Sequence, residues 1–400
     1  MNKSLYIVAF SLAFATTGIA QNNEGQDKTV DLGTQTTTEL RKTQAVSTFI
    51  RTNWIKMQLR SLQCNIWPVA GLTVMQNTSW GTDKSRLNVR GRGSLNGDTP
   101  LFVVDGFARP IEYINLSEIE SISVLKDGAA TALWGGRGAN GVVLITTKRG
   151  MYSKKEIKVD YKFGLGLPVN QPEFADAYTY AKARNEALRY DGLQPDMDEA
   201  SFLAGGNSDL YPNVDWQKEA LRNHTTSHQL DITFRGGGKR LRYFSVLNYK
   251  NDMGLLNSKY TDYTDRYNSQ MKKYFLNLRM NLDVDITDAT KLKLNMLGML
   301  RETKRPTTSE ATLFEQIFNT PSAAFPVQTQ NGLWGSNNVL KTNPIANLAD
   351  VGYYKLNQRM LQADLRLIQD LSVLTRGLSA ELAIAYDNNA TYQETAKKSL

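Results

Sequence analysis

Tyr274-Phe275-Leu276-Asn277-Leu278-Arg279-Met280-Asn281-Leu282-Asp283-Val284-Asp285-Ile286 alternates without a break. Every even position is apolar, and every odd one after Phe275 is Asn, Arg or Asp. A period of two sends successive side chains to opposite faces of an extended strand, so this stretch reads as a strand with one apolar and one polar face. The same alternation marks Ile157–Leu167, His228–Arg235, Leu241–Lys250, Lys291–Arg301, Leu361–Leu371 and Leu378–Asp387. That makes about seven strands of roughly ten residues, the length a tilted membrane-spanning strand requires.

The connections add an independent signal. Short gaps (236–240, 287–290, 372–377) alternate with longer ones (168–227, 251–273, 302–360). Outer-membrane barrels join their strands by short periplasmic turns and longer extracellular loops, and the short gaps here all fall on one side. Alternation alone would also suit a soluble β-sandwich, which would make the protein a secreted binding or adhesion module. The two readings part on detergent dependence. A barrel needs detergent or lipid, whereas a sandwich is monodisperse in plain buffer.

Composition narrows the class. The 400 residues are 41% hydrophobic and 22% charged, and after residue 20 no apolar run approaches the roughly 18–20 residues of a spanning helix. With 18 Tyr, 14 Phe and 6 Trp the chain has ample material for burial, which excludes global disorder. Cys64 is the single cysteine, so no internal disulfide forms, and two histidines leave little for a His-rich metal site. The net charge of +8 permits contact with anionic surfaces without demanding it.

Residues 1–20 have the layout of a Sec signal peptide: a basic start at Lys3, an apolar stretch from Leu5 to Ala15, and small residues at Gly18 and Ala20. Residues 21–45 are polar, rich in Gln and Thr, and read as a flexible arm. From 46 to 150 the character is compact and mixed, with apolar runs at Leu101–Val104 and Val142–Ile145 suited to buried strands. Ala129–Leu133 can form a short helix. A small mixed sheet with helices packed on it is the expectation, followed over 151–400 by the barrel strands.

Motifs for chemistry are weak. Gly136–Gly141 matches the spacing G-x-G-x-x-G, but it precedes a strand-like run instead of following one, so its glycines read as turn residues. His224 and His228, four apart at a strand, lie too far from each other to share a metal. Arg51, Lys56, Arg60, Lys84, Arg86, Arg90 and Arg92 outnumber Asp83, yet no aromatic interleaving points to nucleic acid. These charges suit a solvated face or the polar lumen of a barrel. No catalytic residue, metal ligand or cofactor site is expected.

The blocks Val89-Arg90-Gly91-Arg92-Gly93-Ser94, Pro100 to Gly106 (PLFVVDG), Ile119 to Asp127 (IESISVLKD) and Arg137 to Lys148 (RGANGVVLITTK) occur in this order within one short domain. In that order they resemble the plug of the SusC/RagA-type TonB-dependent outer-membrane transporters. Tyr211-Pro212-Asn213-Val214-Asp215-Trp216 resembles the family's first barrel segments. The resemblance implies an α+β plug followed by a transmembrane antiparallel β-barrel that imports nutrients such as glycan or peptide fragments. It implies residence in the outer membrane among its lipids, energy from a TonB–ExbB–ExbD complex, and a SusD-like surface lipoprotein as partner. Thr29, Val30, Asp31, Leu32 and Gly33 resemble the TonB-box neighbourhood. The plug motif maps to Arg90, Gly91, Arg92, Gly93, Asp105, Gly106, Lys126, Asp127, Arg137, Gly138, Asn140 and Gly141. Plugged transporters of this type have about twenty-two strands. The expectation is therefore an N-terminal portion of a longer protein, or a truncated product that does not transport.

Overall fold

The computed structural model describes residues 71–76, 85–91, 97–152, 155–168, 171–262 and 268–397, together with the backbone of 6–12, 29–31, 36–38 and 46–50. Near the N-terminus lie β1 (Tyr6–Leu12) and a two-stranded ladder of β2 (Thr29–Asp31) with β3 (Thr36–Thr38). This ladder lies within the stretch 21–45 read above as a flexible arm.

The plug is built from β4 (Val46–Ile50), β5 (Leu72–Gln76), β6 (Ser85–Val89), β7 (Leu101–Val104), β8 (Phe107–Ala108), β9 (Ile119–Leu125) and β10 (Val142–Thr147). Five of them form a mixed sheet in the order β4-β9-β10-β7-β8, with β10 parallel to β7 and antiparallel to β9. β5 and β6 pair separately. The continuous apolar runs follow from burial on both faces. Val103, Leu125, Val142 and Leu144 pack with Ala130 and Trp134 on one side. Val104, Ile122, Val124, Val143 and Ile145 pack with Val89, Ile111 and Ile114 on the other.

The larger sheet holds β11 (Glu156–Leu167), β12 (Thr225–Gly237), β13 (Leu241–Met253), β14 (Lys272–Asp285), β15 (Thr290–Pro306), β16 (Gly352–Asp370) and β17 (Ser379–Lys397). All are antiparallel and neighbours in sequence are neighbours in space. The seven expected strands are the seven found, with β15, β16 and β17 running further at the long-loop end. The sheet is open at β17. At its other edge the backbone of β1 lies against β11, where an apolar extended segment satisfies exposed peptide groups. If residues 1–20 are removed on export, that edge is free.

Burial in this sheet is inverted. Leu276, Leu278 and Met280 on β14 are exposed, whereas Asn277, Arg279, Asn281 and Asp283 between them are buried. Ile157, Val159, Tyr161 and Phe163 on β11, Leu361, Leu365 and Leu367 on β16, and Leu382 and Ile384 on β17 share the outward exposure. Five outward rows on β14 and β15, from Val284↔Leu292 to Leu276↔Leu300, are apolar apart from Gly298. Rows two residues apart at about 3.4 Å per residue, tilted by about 40°, give a band on the order of 20–25 Å, the height of a barrel's lipid-facing belt. A soluble sandwich would bury this face and wet the other. That alternative is corrected by the fold.

The long loops carry an unforeseen core. Trp216 and Ala220 from the helix Trp216–Ala220, Leu313 and Ile317 from Glu310–Asn319, and Ile345, Leu348 and Ala349 from Pro344–Ala349 meet Leu256, Tyr260, Met271 and Phe325. Each of these helices is capped by its own sequence: Asp215 accepts from Lys218 N, Ser309 from Thr312 N and Asn343 from Ile345 N. Trp216 Nε1 donates to Pro321 O at 3.1 Å, which joins two loops.

Candidate functional site at the plug–barrel interface

The buried polar face of the barrel sheet is the surface on which the plug sits. Glu118, at the foot of β9 and fully buried, places its carboxylate against β14. Arg279 Nε donates to it at 2.6 Å and Asn277 Nδ2 at 2.5 Å. Burial pushes the Glu118 carboxyl above its ordinary range, against the pull of Arg279. One turn away, Asn248 Nδ2 donates to Ser117 Oγ at 2.9 Å and to Asp231 Oδ1 at 2.8 Å. Tyr113 lies under the Arg301 guanidinium, and its carbonyl accepts from Asn277.

A second clamp grips the far edge. Arg109, just past β8, donates to Asp364 on β16 at 2.5 Å and to Asp387 on β17 at 3.1 Å. Burial opposes its charge, but the two carboxylates more than offset that and hold its pKa above the usual arginine value. Asn295 donates to the other oxygen of Asp364 at 2.6 Å. Arg149, after β10, pairs with Asp283 at 2.9 Å, and Arg235 Nε donates to Arg149 O at 2.6 Å. Close backbone approach continues at Gly150, where a Cβ would come within 2.3 Å of Tyr243 N.

Several motif residues feed this interface. Asp105 and Gly106 both take positive φ (48° and 94°) in the two-residue turn that pairs Val104 with Phe107. Two central residues with φ > 0 are what a type I′ hairpin turn requires, and Asp-Gly is a favoured pair for it. The Asp105 carboxylate accepts from Thr147 N at 3.0 Å and Thr147 Oγ1 at 2.6 Å. Thr147 Oγ1 in turn accepts from Asn281 on β14 at 2.7 Å. Asp105 O accepts from Arg366 Nη2 at 3.0 Å, and that nitrogen fills the space where a Cβ on Gly106 would stand.

The other motif residues shape the plug itself. Asp127 caps the helix Gly128–Thr131, accepting from Ala130 N at 2.7 Å. The Lys126 side chain lies over Gly71, whose added Cβ would meet its Cε at 2.9 Å. Gly138 is packed against Thr131 and Trp134, and Gly141 (φ 91°) leaves room for Val89. Asn140 Nδ2 donates to Gly97 O at 3.0 Å, while Arg137 is exposed. Arg90 takes a positive φ of 60° beside Gly91. Arg92, Gly93, Leu32 and Gly33 lie outside the described residues, as do Cys64, Arg51, Lys56, Arg60 and Lys84. Thr29–Asp31 is extended backbone paired with Thr36–Thr38.

Glu118, Arg109 and their wall partners had no signature in the sequence, because each contact joins positions more than 150 residues apart. The available hint was a charged or amide residue at every inward position of β14 from Asn277 to Asp285. His228 lies on the outward face, with Tyr161 Oη at 2.7 Å from Nδ1 and the Phe163 ring beside it. Among the described residues no group of three His, Cys, Asp or Glu side chains could hold a metal ion.

Residues 39–142 match the family described as TonB-dependent Receptor Plug Domain. TonB-dependent receptor P26 of Formosa agariphila is 30% identical over 230 residues, covering 56% of this chain and 21% of that protein. TonB-dependent receptor SusC of Bacteroides thetaiotaomicron is 31% identical over 204 residues, covering 47% and 18%. The chain thus spans about a fifth of the length of the curated relatives it matches. Among solved structures the RagAB peptide importer in its open-open state superposes with a TM-score of 0.70 at 20% identity, over 92% of this chain and 43% of that one. The plug match, the SusC relative and a polar-walled sheet that grips the plug lead to one conclusion: the chain carries a TonB-dependent receptor plug domain with seven antiparallel strands of a barrel wall, and it is similar to the SusC/RagA-type receptors.

Proposed function

We propose that the protein acts in the outer membrane as the plugged part of a barrel that imports nutrients, with glycan or peptide fragments as the substrate class. The observation that carries this reading is the plug docked by buried ion pairs on the inner face of a sheet whose outer face is an apolar belt. Such a plug closes the pore at rest, and energy is needed to shift it. In this reading residues 1–20 direct export, and 21–45 hold the TonB box ahead of a plug at 46–150 and barrel strands over 151–400. The TonB–ExbB–ExbD complex would add a strand to the extended segment Thr29–Gly33, a mode that needs accessible backbone on a tether. The Asp105–Gly106 turn, the Asp127 cap and the glycines at 138 and 141 keep the plug in register with the wall. A SusD-like lipoprotein would sit on the loop end, where the apolar core around Trp216 and Leu313 gives the loops a fixed shape.

Deleting Thr29 to Gly33 in the native host should abolish energised uptake while leaving outer-membrane residence and substrate binding intact. Uptake of labelled oligosaccharides and oligopeptides by that strain and its parent reads this directly. Normal uptake would remove the segment from the mechanism. A protein recovered in the soluble fraction would overturn the membrane reading itself.

A further inference from the structure

The outward belt has one notch. Gly298 stands in the row Leu247↔Leu278↔Gly298↔Leu361↔Asn388, and a Cβ built there meets nothing within 4 Å. The missing side chain opens a groove of about 360 Å³ on the outer face, between Leu276 and Leu278 on one side and Leu300 and Leu361 on the other. Its polar end is formed by Arg359 and Asn388. That size is within the range of small-ligand sites.

Arg359 is the telling residue. It lies opposite Leu300, one row nearer the long loops than Gly298, and is exposed on the apolar face. It has no ionic or hydrogen-bonding partner among the described residues. The nearest outward carboxylate row holds Glu302, which is taken by Lys304 and Lys355 at 3.2 Å each. Beyond Arg359 that row turns polar, with Tyr274, Glu302, Asn357 and Tyr392. Arg359 therefore marks the rim of the belt at its long-loop end. A cation at this depth costs little if its head reaches the headgroup layer, and far more if it stays in hydrocarbon.

Resting on the membrane-barrel reading above, we propose that this groove is a site for an outer-leaflet lipid with a phosphate headgroup. One acyl chain lies in the notch over Gly298, and the phosphate takes the Arg359 guanidinium. The charge argues for the headgroup, since a planar guanidinium fork matches phosphate oxygens bidentately. The notch argues for the chain, because filling it with an alkyl segment restores contacts that its leucine lining otherwise lacks.

Native mass spectrometry of the delipidated, detergent-solubilised protein tests this, with dipalmitoyl phosphatidic acid and dipalmitoyl phosphatidylcholine as probes. Phosphatidic acid should bind about tenfold tighter than phosphatidylcholine, the scale of one charge-assisted pair. R359Q should erase that preference. G298L should weaken both lipids by about tenfold with unchanged melting, since the added side chain enters open space. Equal binding by the parent protein and both variants would overturn the proposal. So would competition by inorganic phosphate alone, or a dimer that covers Gly298 in place of lipid. Heat-modifiable gel mobility reads barrel formation separately, so failure of the membrane reading is not confused with failure of the lipid site.

Discussion

Val142, Val143, Leu144 and Ile145 in the plug are 0–3% exposed, whereas Leu276, Leu278 and Met280 in the barrel wall are 37–44% exposed. Both segments are β-strands of one chain, and both are rich in aliphatic residues. The plug strand is apolar on both faces because both are covered by protein. The wall strand is apolar on one face only, and that face is the outer one. Burial inside protein and exposure to hydrocarbon select the same residue types, so residue type alone does not tell a core from a belt. Its periodicity does, read together with where the polar residues go. In the wall they point inward, onto the plug.

If the plug is a protein core in water's usual sense, the largest effect should come from charging it. Val143→Asp buries an unpaired carboxylate among Val104, Ile122 and Val124, at a cost of about 4 kcal/mol or more. The plug should then be cleaved rapidly between residues 46 and 150 by added protease, while the barrel strands stay protected. Protection equal to that of the parent protein would mean this strand is not in a core.

Next in size are the contacts that join the two regions. Glu118→Ala leaves Arg279 buried on β14 without its carboxylate, which should cost about 3–5 kcal/mol. Arg279→Ala should cost a similar amount from the other side, and the double variant should cost much less than the sum. That pattern in a double-mutant cycle, read by urea unfolding of the plug, reports direct coupling. Additive losses would show that the pair is not what holds the plug to the wall.

The two regions were unequally legible in the sequence. The wall could be read nearly strand by strand, because an apolar outer face and a polar inner face impose a strict period of two. Legibility ended where that contrast ended. At Tyr353-Tyr354-Lys355, above the belt, both faces are wet and the alternation fades, so the first residues of β16 went unseen. The loop core went unseen for a different reason. Leu313, Phe314, Ile317 and Phe318 do have helical spacing, but a gap between strands invites the reading of a loop. Of the site, the turn at Asp105–Gly106 was readable from local chemistry. The grip of Glu118 and Arg109 was not, since it depends on which distant strand the plug faces.

The smallest effects give the sharpest test of the belt, because they depend on depth. Met280 is in the middle of the five outward rows on β14, paired with Met296, while Tyr274 is in the polar row above them, paired with Glu302. In a soluble sheet, a lysine at either half-exposed position would change stability by about 0.5 kcal/mol or less. In a bilayer the two sites separate. Met280→Lys should cost about 2–4 kcal/mol near the midplane, and Tyr274→Lys about 0–1 kcal/mol near the interface. Unfolding of the protein in lipid bilayers measures both on one scale. Equal small losses would place the apolar face against protein or water, and the inversion between plug and wall would lose its cause. A steep loss at 280 with almost none at 274 would tie that inversion to hydrocarbon, since no other surrounding discriminates two outward residues of one strand by height alone.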